Sequence, residues 1–499
     1  MSYRIRVGIE ISECKEAQSE TILKPKMGVY EQVISPEMGE SIDGCEGALL
    51  DMSYEAMRRS LSAHLSQTSQ KVAQQLRTDE QEVEMKPYRV DGEVGRIEFE
   101  AAYVNTPMGL QGMLPILKGK ERYKSRGFKE IGLVHGTIET SYTKSSRRIN
   151  RIRHQEGATP ARTLRDNSEV EGQAIQQRLS EQTQAVLSDH HFSPQGSPSE
   201  IADWYRQRHL QTLPATTVKV ALTQVAPDKE WQAKMIKNKV PYEKPTQSVS
   251  ICVDDVNTKR QKEQRSKPDQ RSDDPPPEGH KYVHNTVAHI SQGQNAYIIN
   301  GYGLVWVLKM VLAFLLHNNL LRFNLIFLVD GQRTIYAAIG KAFAWFKPTQ
   351  FILDWYHLDK RCKEYLSMAL NGRHIRNEFL AQLMPLLWYG CLTDAISLLE
   401  QIAPADIKNQ DYVDKLSTYF ARNQPYIPCY AVRKHLKLPN SSQQGEKVND
   451  LIVSDRQKHN GMSWSISGSV ALATLTALVR NGEDAQWFRS GSLDFGSSV

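Results

Sequence analysis

Two apolar runs that end on aspartates constrain this chain more than any other feature. Asn324 to Val329 is apolar after its first residue and closes on Asp330-Gly331. A short apolar run of this kind reads as a strand buried on both faces. SVSICVDDV, beginning at Ser248, ends similarly, in the pair Asp254-Asp255 and one further valine. Around these runs KYVHNTVAHI and NAYIIN read as strands, Gly303 to His317 as a buried helix and Thr334 to Phe346 as a helix. TQFILDW reads as a strand ending near Asp354, and almost everything from Tyr356 to about Arg422 reads as helix.

Three strands, a helix, a strand, a helix and a strand predict a mixed α/β sheet. The order matches the ribonuclease H topology, in which antiparallel strands come first and parallel ones follow through helices. With 499 residues, 40% hydrophobic and 24% charged, the chain has the make-up of a globular protein of about three domains. Collagen-like, disulfide-framework and wholly disordered classes are excluded. The six cysteines, at 14, 45, 252, 362, 391 and 429, form no CxxC pair, so they read as reduced thiols of a cytosolic protein. MSYRIRVGIEIS has no apolar core of a signal peptide. Leu304 to Leu316, interrupted by Lys309, is too short to span a bilayer. The expectation is a cytoplasmic protein with no membrane partner.

The net charge of +6 hides an uneven distribution. Between Lys118 and Arg165 there are 13 Lys/Arg against 4 Asp/Glu, a local excess of +9, which suggests a polyanion contact. Residues 88–104 alternate around Asp91-Gly92, a hairpin signal. Ser141 can cap a helix carrying Arg147, Arg148, Arg151 and Arg153, and Thr159-Pro160 can open the next. A further helix runs from Glu169 to Leu187. Such short helices with arginines at their ends look like a helix-turn-helix, or like an ordinary helical hairpin.

The resulting organisation is an N-terminal region of unassigned role (1–87), a small β-rich basic region (88–136) and a helix-turn-helix-like DNA-binding region (137–190). A connecting region (191–247), a catalytic domain (248–481) and a C-terminal tail (482–499) follow. The loop Lys262 to His280, with Pro275-Pro276-Pro277, reads as an exposed excursion.

Three carboxylates carry the chemistry. In a ribonuclease H sheet the first and fourth strands are neighbours, so Asp254 and Asp330 would face one crevice. Glu446, near the start of GEKVNDLIVSDRQK, can reach it from a helix. Three such groups repel one another, and a pair of Mg²⁺ (or Mn²⁺) ions relieves the repulsion. Two such ions can activate an attacking oxygen and stabilise the leaving oxygen of a phosphodiester. Each residue has a plainer reading: Asp330 as a helix cap, Asp254 in a turn, Glu446 as an exposed helix glutamate. Adjacent strand residues face opposite ways, so Asp254 and Asp255 compete for the first position. The 116 positions between Asp330 and Glu446 leave room for an all-helical insertion at about 358–440.

The segments VDGQRTIYAAIGKAF, FILDWYHLDKRCK and SSQQGEKVNDLIVSDRQKHNGMSWSISGSVALATL resemble bacterial insertion-sequence transposases of the DDE type, in the broad Mutator-like group. The resemblance covers about 248–481. It extends weakly upstream through GEVGRIEFE and SYTKSSRRINRIRHQEGATPARTLRDNSEVEG. It implies a ribonuclease H-like catalytic domain with a helical insertion and a preceding DNA-binding region. Asp254, Asp330 and Glu446 would be the catalytic, metal-binding triad. Double-stranded DNA would be the partner, both as transposon ends and as target, and the protein would be a homo-oligomer. Where many members read CxxH, this chain reads Asp354-Trp355-Tyr356-His357, which leaves His357 open between a structural and a site role. Arg456, Lys458 and His459 are candidates for the backbone of the DNA end, against a plain solvated face. Trp464 is expected to pack.

Other motifs carry nothing. Gly301-Tyr302-Gly303 has Trp306 where a dinucleotide fingerprint needs its third glycine, no P-loop occurs, and His190-His191 has no partner ligands at metal spacing. The expected activity is metal-dependent cleavage at transposon ends followed by strand transfer. A catalytically inactive DNA-binding derivative, or a nuclease that cuts without joining, remains the alternative.

Overall fold

The structure, a computed structural model, describes residues 3–9, 28–34, 42–78, 81–107, 109–117, 122–199, 203–261, 281–458 and 461–496. The proline-rich loop Lys262 to His280 and His459 lie outside the described residues. The chain divides into two compact units, one of residues 1–170 with 484–491, the other of 171–483 with 492–499. It is a mixed α/β protein.

The first unit holds an antiparallel pair, β1 (Tyr3–Ile9) and β2 (Gly28–Ile34), then a 37-residue helix α1 (Ile42–Thr78). β3 (Val83–Gly92), β4 (Gly95–Thr106) and β5 (Gly109–Gly112) form an antiparallel sheet. α2 (Arg126–Ile138), α3 (Tyr142–Ile152) and the start of α4 (Ala161–Asp189) follow. The sequence pattern does not flag α1, because its buried positions are mostly small: Ala48, Met52, Ala56, Ser69 and Ala73. The boundary at 87/88 falls inside β3. The hairpin turn is Glu93-Val94 rather than Asp91-Gly92, since Gly92 pairs with Gly95 and Gly95 supplies the positive φ of +127°. Asp91 stays in the ladder and is buried.

Two helices expected around Thr159-Pro160 and Glu169 are one, α4, because nothing between Ala161 and Glu171 breaks it. The connecting region 191–247 is also corrected. It holds α5 (Asp203–Arg206), α6 (Ala215–Val225) and α7 (Lys229–Met235). Ala221, Leu222, Met235 and Tyr242 pack in one apolar cluster with Cys429, Val432 and Leu438, so this stretch is part of a core rather than a tether.

The second unit is built on a five-stranded sheet of β6 (Ser248–Lys259), β7 (Tyr282–Gln292), β8 (Asn295–Tyr302), β9 (Asn324–Val329) and β10 (Thr349–Leu353), in the order β10-β9-β6-β7-β8. The β6-β7-β8 pairings are antiparallel, and β9 is parallel to both β6 and β10. α8 (Leu304–His317), apolar all round, lies in the core that the face of Val249, Ile251, Val253, Leu325, Phe327 and Val329 builds. α9 (Arg333–Phe343) adds Ile335, Ile339 and Phe343 to it. Strand alternation turns Cys252 and Asp254 to the opposite face.

α10 (Trp355–Ala369), α11 (Arg373–Trp388), α12 (Leu392–Glu400), α13 (Gln410–Asn423) and α14 (Tyr430–His435) form a helical layer with its own core. Leu358, Cys362, Leu366 and Ala369 are spaced as one helical stripe within it. α15 (Gln443–Asn449) continues through a π-helical turn (Asp450–Ser454) and a short turn α16 (Asp455–Gln457). α17 (Ile466–Arg480) is followed by α18 (Asp484–Ser490), which belongs to the first unit. Among the described residues no helix is long and apolar enough to cross a membrane.

Candidate active site

The β6–β9 register ends at Cys252↔Leu328. Asp254 and Asp330 each lie two residues further on, at matching positions of neighbouring strands. The first of the two aspartate alternatives is favoured by geometry. Asp255 turns away and takes the Thr286 hydroxyl, whereas Asp254 lines a cleft with Asp330, His357, Glu446 and Asn449. Asp254 Oδ2 accepts from Asn449 Nδ2 at 2.8 Å, and its Oδ1 accepts from the Asp255 N–H at 2.8 Å. Asp330 Oδ1 accepts from the Gln332 N–H at 2.8 Å, a turn bond just ahead of α9, whose N-cap is Gln332 itself, so Asp330 is not the helix cap and its side chain also lines the cleft.

Glu446 reaches the cleft because its helix can approach β6 closely. A Cβ on the preceding Gly445 would stand 2.8 Å from Cys252 Cβ, so only glycine fits there. His357 Nε2 meets Glu446 Oε1 at 2.8 Å. Asp354, fully buried, holds both partners in place. Its carboxylate accepts from the His357 N–H at 3.0 Å, which caps α10, and from the Ser442 N–H at the start of α15. Glu446 donates its own N–H to Ser442 O at 2.8 Å. Within the DWYH segment, Asp354 is therefore a structural residue, and His357 both joins that framework and lines the cleft.

Burial pushes the Asp254 carboxyl up to about 7, and the charges of Glu446 and Asp330 push the same way. The bond from His357 holds Glu446 below its ordinary value, against the effect of burial. Burial draws His357 down, but the Glu446 bond and the nearby Asp354, Glu446 and Asp330 charges outweigh it and leave its pKa raised. Among the described residues neither Asp254 nor Asp330 has an ion-pair partner. Among them, too, no three His, Cys, Asp or Glu side chains converge closely enough to hold a metal ion as they are arranged. The donor chemistry still fits a hard cation: carboxylate oxygens that repel one another, one of them poorly compensated.

This arrangement has a pH consequence. A carboxyl with a folded pKa near 7 and an ordinary value of 3.8 binds a proton in the folded chain that the unfolded chain has already lost. Its contribution to stability therefore falls as pH rises from about 4 to 7. A divalent cation needs the ionised form, so Mn²⁺ affinity measured by calorimetry is expected to rise from pH 5.5 to 8, with its midpoint near 7. A flat profile, or no Mn²⁺ binding at all, would argue against a cation held through Asp254.

The basic candidates divide by burial. Arg147 and Arg151 are exposed on α3, and Arg148 is exposed but pairs with Glu139 at 2.5 Å. Arg153 is buried and spends its guanidinium on Gly92 O, on Glu93 O at 2.9 Å and on Thr159 Oγ1 at 2.7 Å, so it is not available to DNA. Arg456 is likewise buried, its guanidinium 5.5 Å from the Trp464 ring, while Lys458 is exposed. Trp464 is packed, as expected, with Nε1 donating to Gln457 O at 3.2 Å. Arg153 follows the end of α3 and Arg456 lies in the short turn α16, and both are drawn inward by their local contacts, which charge counting does not reveal.

Two further cleft residues escape sequence reading, Asn449 and His289, as does the role of Asp354 behind them. The spacing of Asn449, three after Glu446 on one helix face, is the one available signal. Compared with protein-family models, with curated proteins and with solved structures, the chain matches none.

Proposed function

We propose that this chain is a DNA transposase of the DDE type, cutting phosphodiesters at transposon ends and joining the freed ends to target DNA. The observation that carries the reading is the pair Asp254 and Asp330, at matching positions on parallel neighbours, sharing one cleft with Glu446. The sheet order, with the antiparallel trio first and β9 and β10 added parallel, supports a ribonuclease H-like fold with the helices at about 358–440 as its insertion. The partner is double-stranded DNA, and the handling of two ends calls for a homo-oligomer.

Asp254, Asp330 and Glu446 would hold Mg²⁺ or Mn²⁺, two ions, which when bound neutralise charge on the phosphodiester and on the oxygens that enter and leave it. The chain's own groups do the rest. Asn449 fixes the orientation of Asp254 through Oδ2. His357 keeps Glu446 ionised and aimed. Asp354 locks the two helix starts that carry this pair. Arg147 and Arg151 supply exposed positive charge for phosphates.

The test uses the full chain, labelled duplex carrying the sequences that flank the gene, and Mg²⁺ or Mn²⁺. Nicking at the 3′ end and joining to a plasmid are expected. Binding without cleavage favours the non-catalytic DNA-binding reading, and cleavage without joining favours the nuclease. Replacing Arg147 and Arg151 together by alanine is expected to weaken binding to all sequences alike. It should lower the log–log salt slope by about 1.8, which is about 0.9 for each phosphate that is no longer neutralised. An unchanged slope in salt titrations would remove α3 from the DNA interface.

A further inference from the structure

His289 lies in the same cleft and takes no part in holding or orienting the three acids. The β6–β7 register pairs Cys252 with His289 and Asp254 with Val287. Alternation along both strands therefore puts His289 on the face of the sheet that carries Asp254, one cross-strand pair deeper. The side chain is 7% exposed and lines the cleft beside Cys252, Asp254 and Asp330. Its Nδ1 is buried and has no hydrogen-bond partner among the described residues. Burial lowers its pKa, so the ring is neutral at ordinary pH and has one nitrogen lone pair to offer.

A buried polar atom left alone is costly; His289 Nδ1 is one such atom that also lines a cleft, where a bound molecule can complete its bonding. The neighbours of His289 decide how large that ligand can be. Cys252, Leu328 and Gly445 line the same end of the cleft, and Gly445 is already pressed against Cys252. A nucleotide does not fit beside a side chain so enclosed; a water molecule does. Cys252 does not compete for the role, because burial pushes its thiol up to about 12.

We propose that His289 is a catalytic residue of the hydrolytic step alone: it holds the attacking water and takes its proton. The inference rests on the transposase reading. In that step the water oxygen bonds to phosphorus, the phosphorus–O3′ bond breaks, and the freed 3′ oxygen is protonated from solvent. The water's proton passes to the neutral ring nitrogen of His289 and then to solvent. Strand transfer uses a DNA 3′-hydroxyl in place of water. That nucleophile arrives on a bulky chain and cannot occupy the enclosed position, so joining proceeds without the imidazole.

Cleavage and joining are therefore separable at this residue. Uncut end duplex and pre-cleaved end duplex are given in parallel to wild type, His289→Ala and His289→Asn with Mn²⁺. The loss expected for a general base is about a hundredfold or more in nicking of uncut duplex. Joining of pre-cleaved duplex is expected to stay within about threefold of wild type, and that joining itself shows that the variants fold and bind. His289→Asn, which keeps a polar atom near the Nδ1 position, guards against a core defect in the alanine variant. Equal loss of both reactions in the two variants, or loss of neither, overturns the role of His289. Failure of wild type to cut or join overturns the transposase reading and the role with it. Wild-type activity with unseparated variants overturns the role of His289 alone.

Discussion

Asp330→Asn is expected to abolish metal-dependent nicking and joining, by on the order of a thousandfold, with DNA binding retained. Asparagine keeps the shape of the side chain and can still accept the Gln332 N–H, so the turn that opens α9 survives. What it removes is the charge. Asp330 is one of the two carboxylates at matching strand positions, and its partner Asp254 is already disfavoured as an anion by burial and by the Glu446 charge. Removing the Asp330 charge eases ionisation of Asp254 while taking away an anionic oxygen ligand for the cation. The metal-free variant should therefore melt at or slightly above the wild-type temperature at pH 8, even as Mn²⁺ affinity in calorimetry falls. A variant that nicks DNA at the wild-type rate would break the link between this cleft and cleavage. A variant that melts far below wild type would mean that Asp330 serves the fold instead.

The second large effect is on stability. Glu243→Ala is expected to destabilise the second unit by about 3–5 kcal/mol, the usual result of stranding one member of a buried ion pair. Arg433 Nη1 and Nη2 meet Glu243 Oε2 and Oε1 at 2.6 and 2.7 Å, with the side chains 0% and 1% exposed. Arg433 also donates to Pro439 O at 2.9 Å, just before the turn that leads to Ser442 and Glu446. The pair thus ties the segment after α7 to the last helix of the insertion and to the entry of α15. Replacing both partners with apolar residues of similar size, Glu243→Leu with Arg433→Met, should recover much of the stability, because no charge is then left without a partner. Urea denaturation of the single and double variants measures this. Equal destabilisation in both would show that packing volume, not the stranded charge, sets the cost.

These two sites differ in how far the residues announce them. Asp330 is legible because its run of apolar residues is too short for anything but a strand and closes on a charge; the pattern is local, and so is its cause. Asp254 is half legible. Its strand can be read, but the choice between 254 and 255 needs the β6–β7 register and the bond from Thr286. The helix Leu304–His317 follows from a nearly unbroken apolar run and Trp355–Ala369 from a helical apolar stripe, both again properties of adjacent residues. Glu243 and Arg433 are 190 positions apart, and nothing in either neighbourhood marks them as partners.

Burial is what the order of residues leaves open. Arg153 and Arg456 belong to basic stretches in which Arg147, Arg148, Arg151 and Lys458 are exposed, yet both are enclosed and used internally. Residues 191–247 carry the composition of a connector but supply core positions, because their few apolar residues find a surface on the insertion helices. His289 is an ordinary strand histidine until β6 is placed beside it. Local chemistry thus determined the five strands of the second unit, the helices that follow them and the acidic candidates, since those depend on propensity and periodicity over a few residues, whereas β1, β2 and α1 carried no such signal. Which charges meet, which are hidden, and which histidine faces the acids was decided by strand register and helix packing, which join residues that the chain keeps far apart.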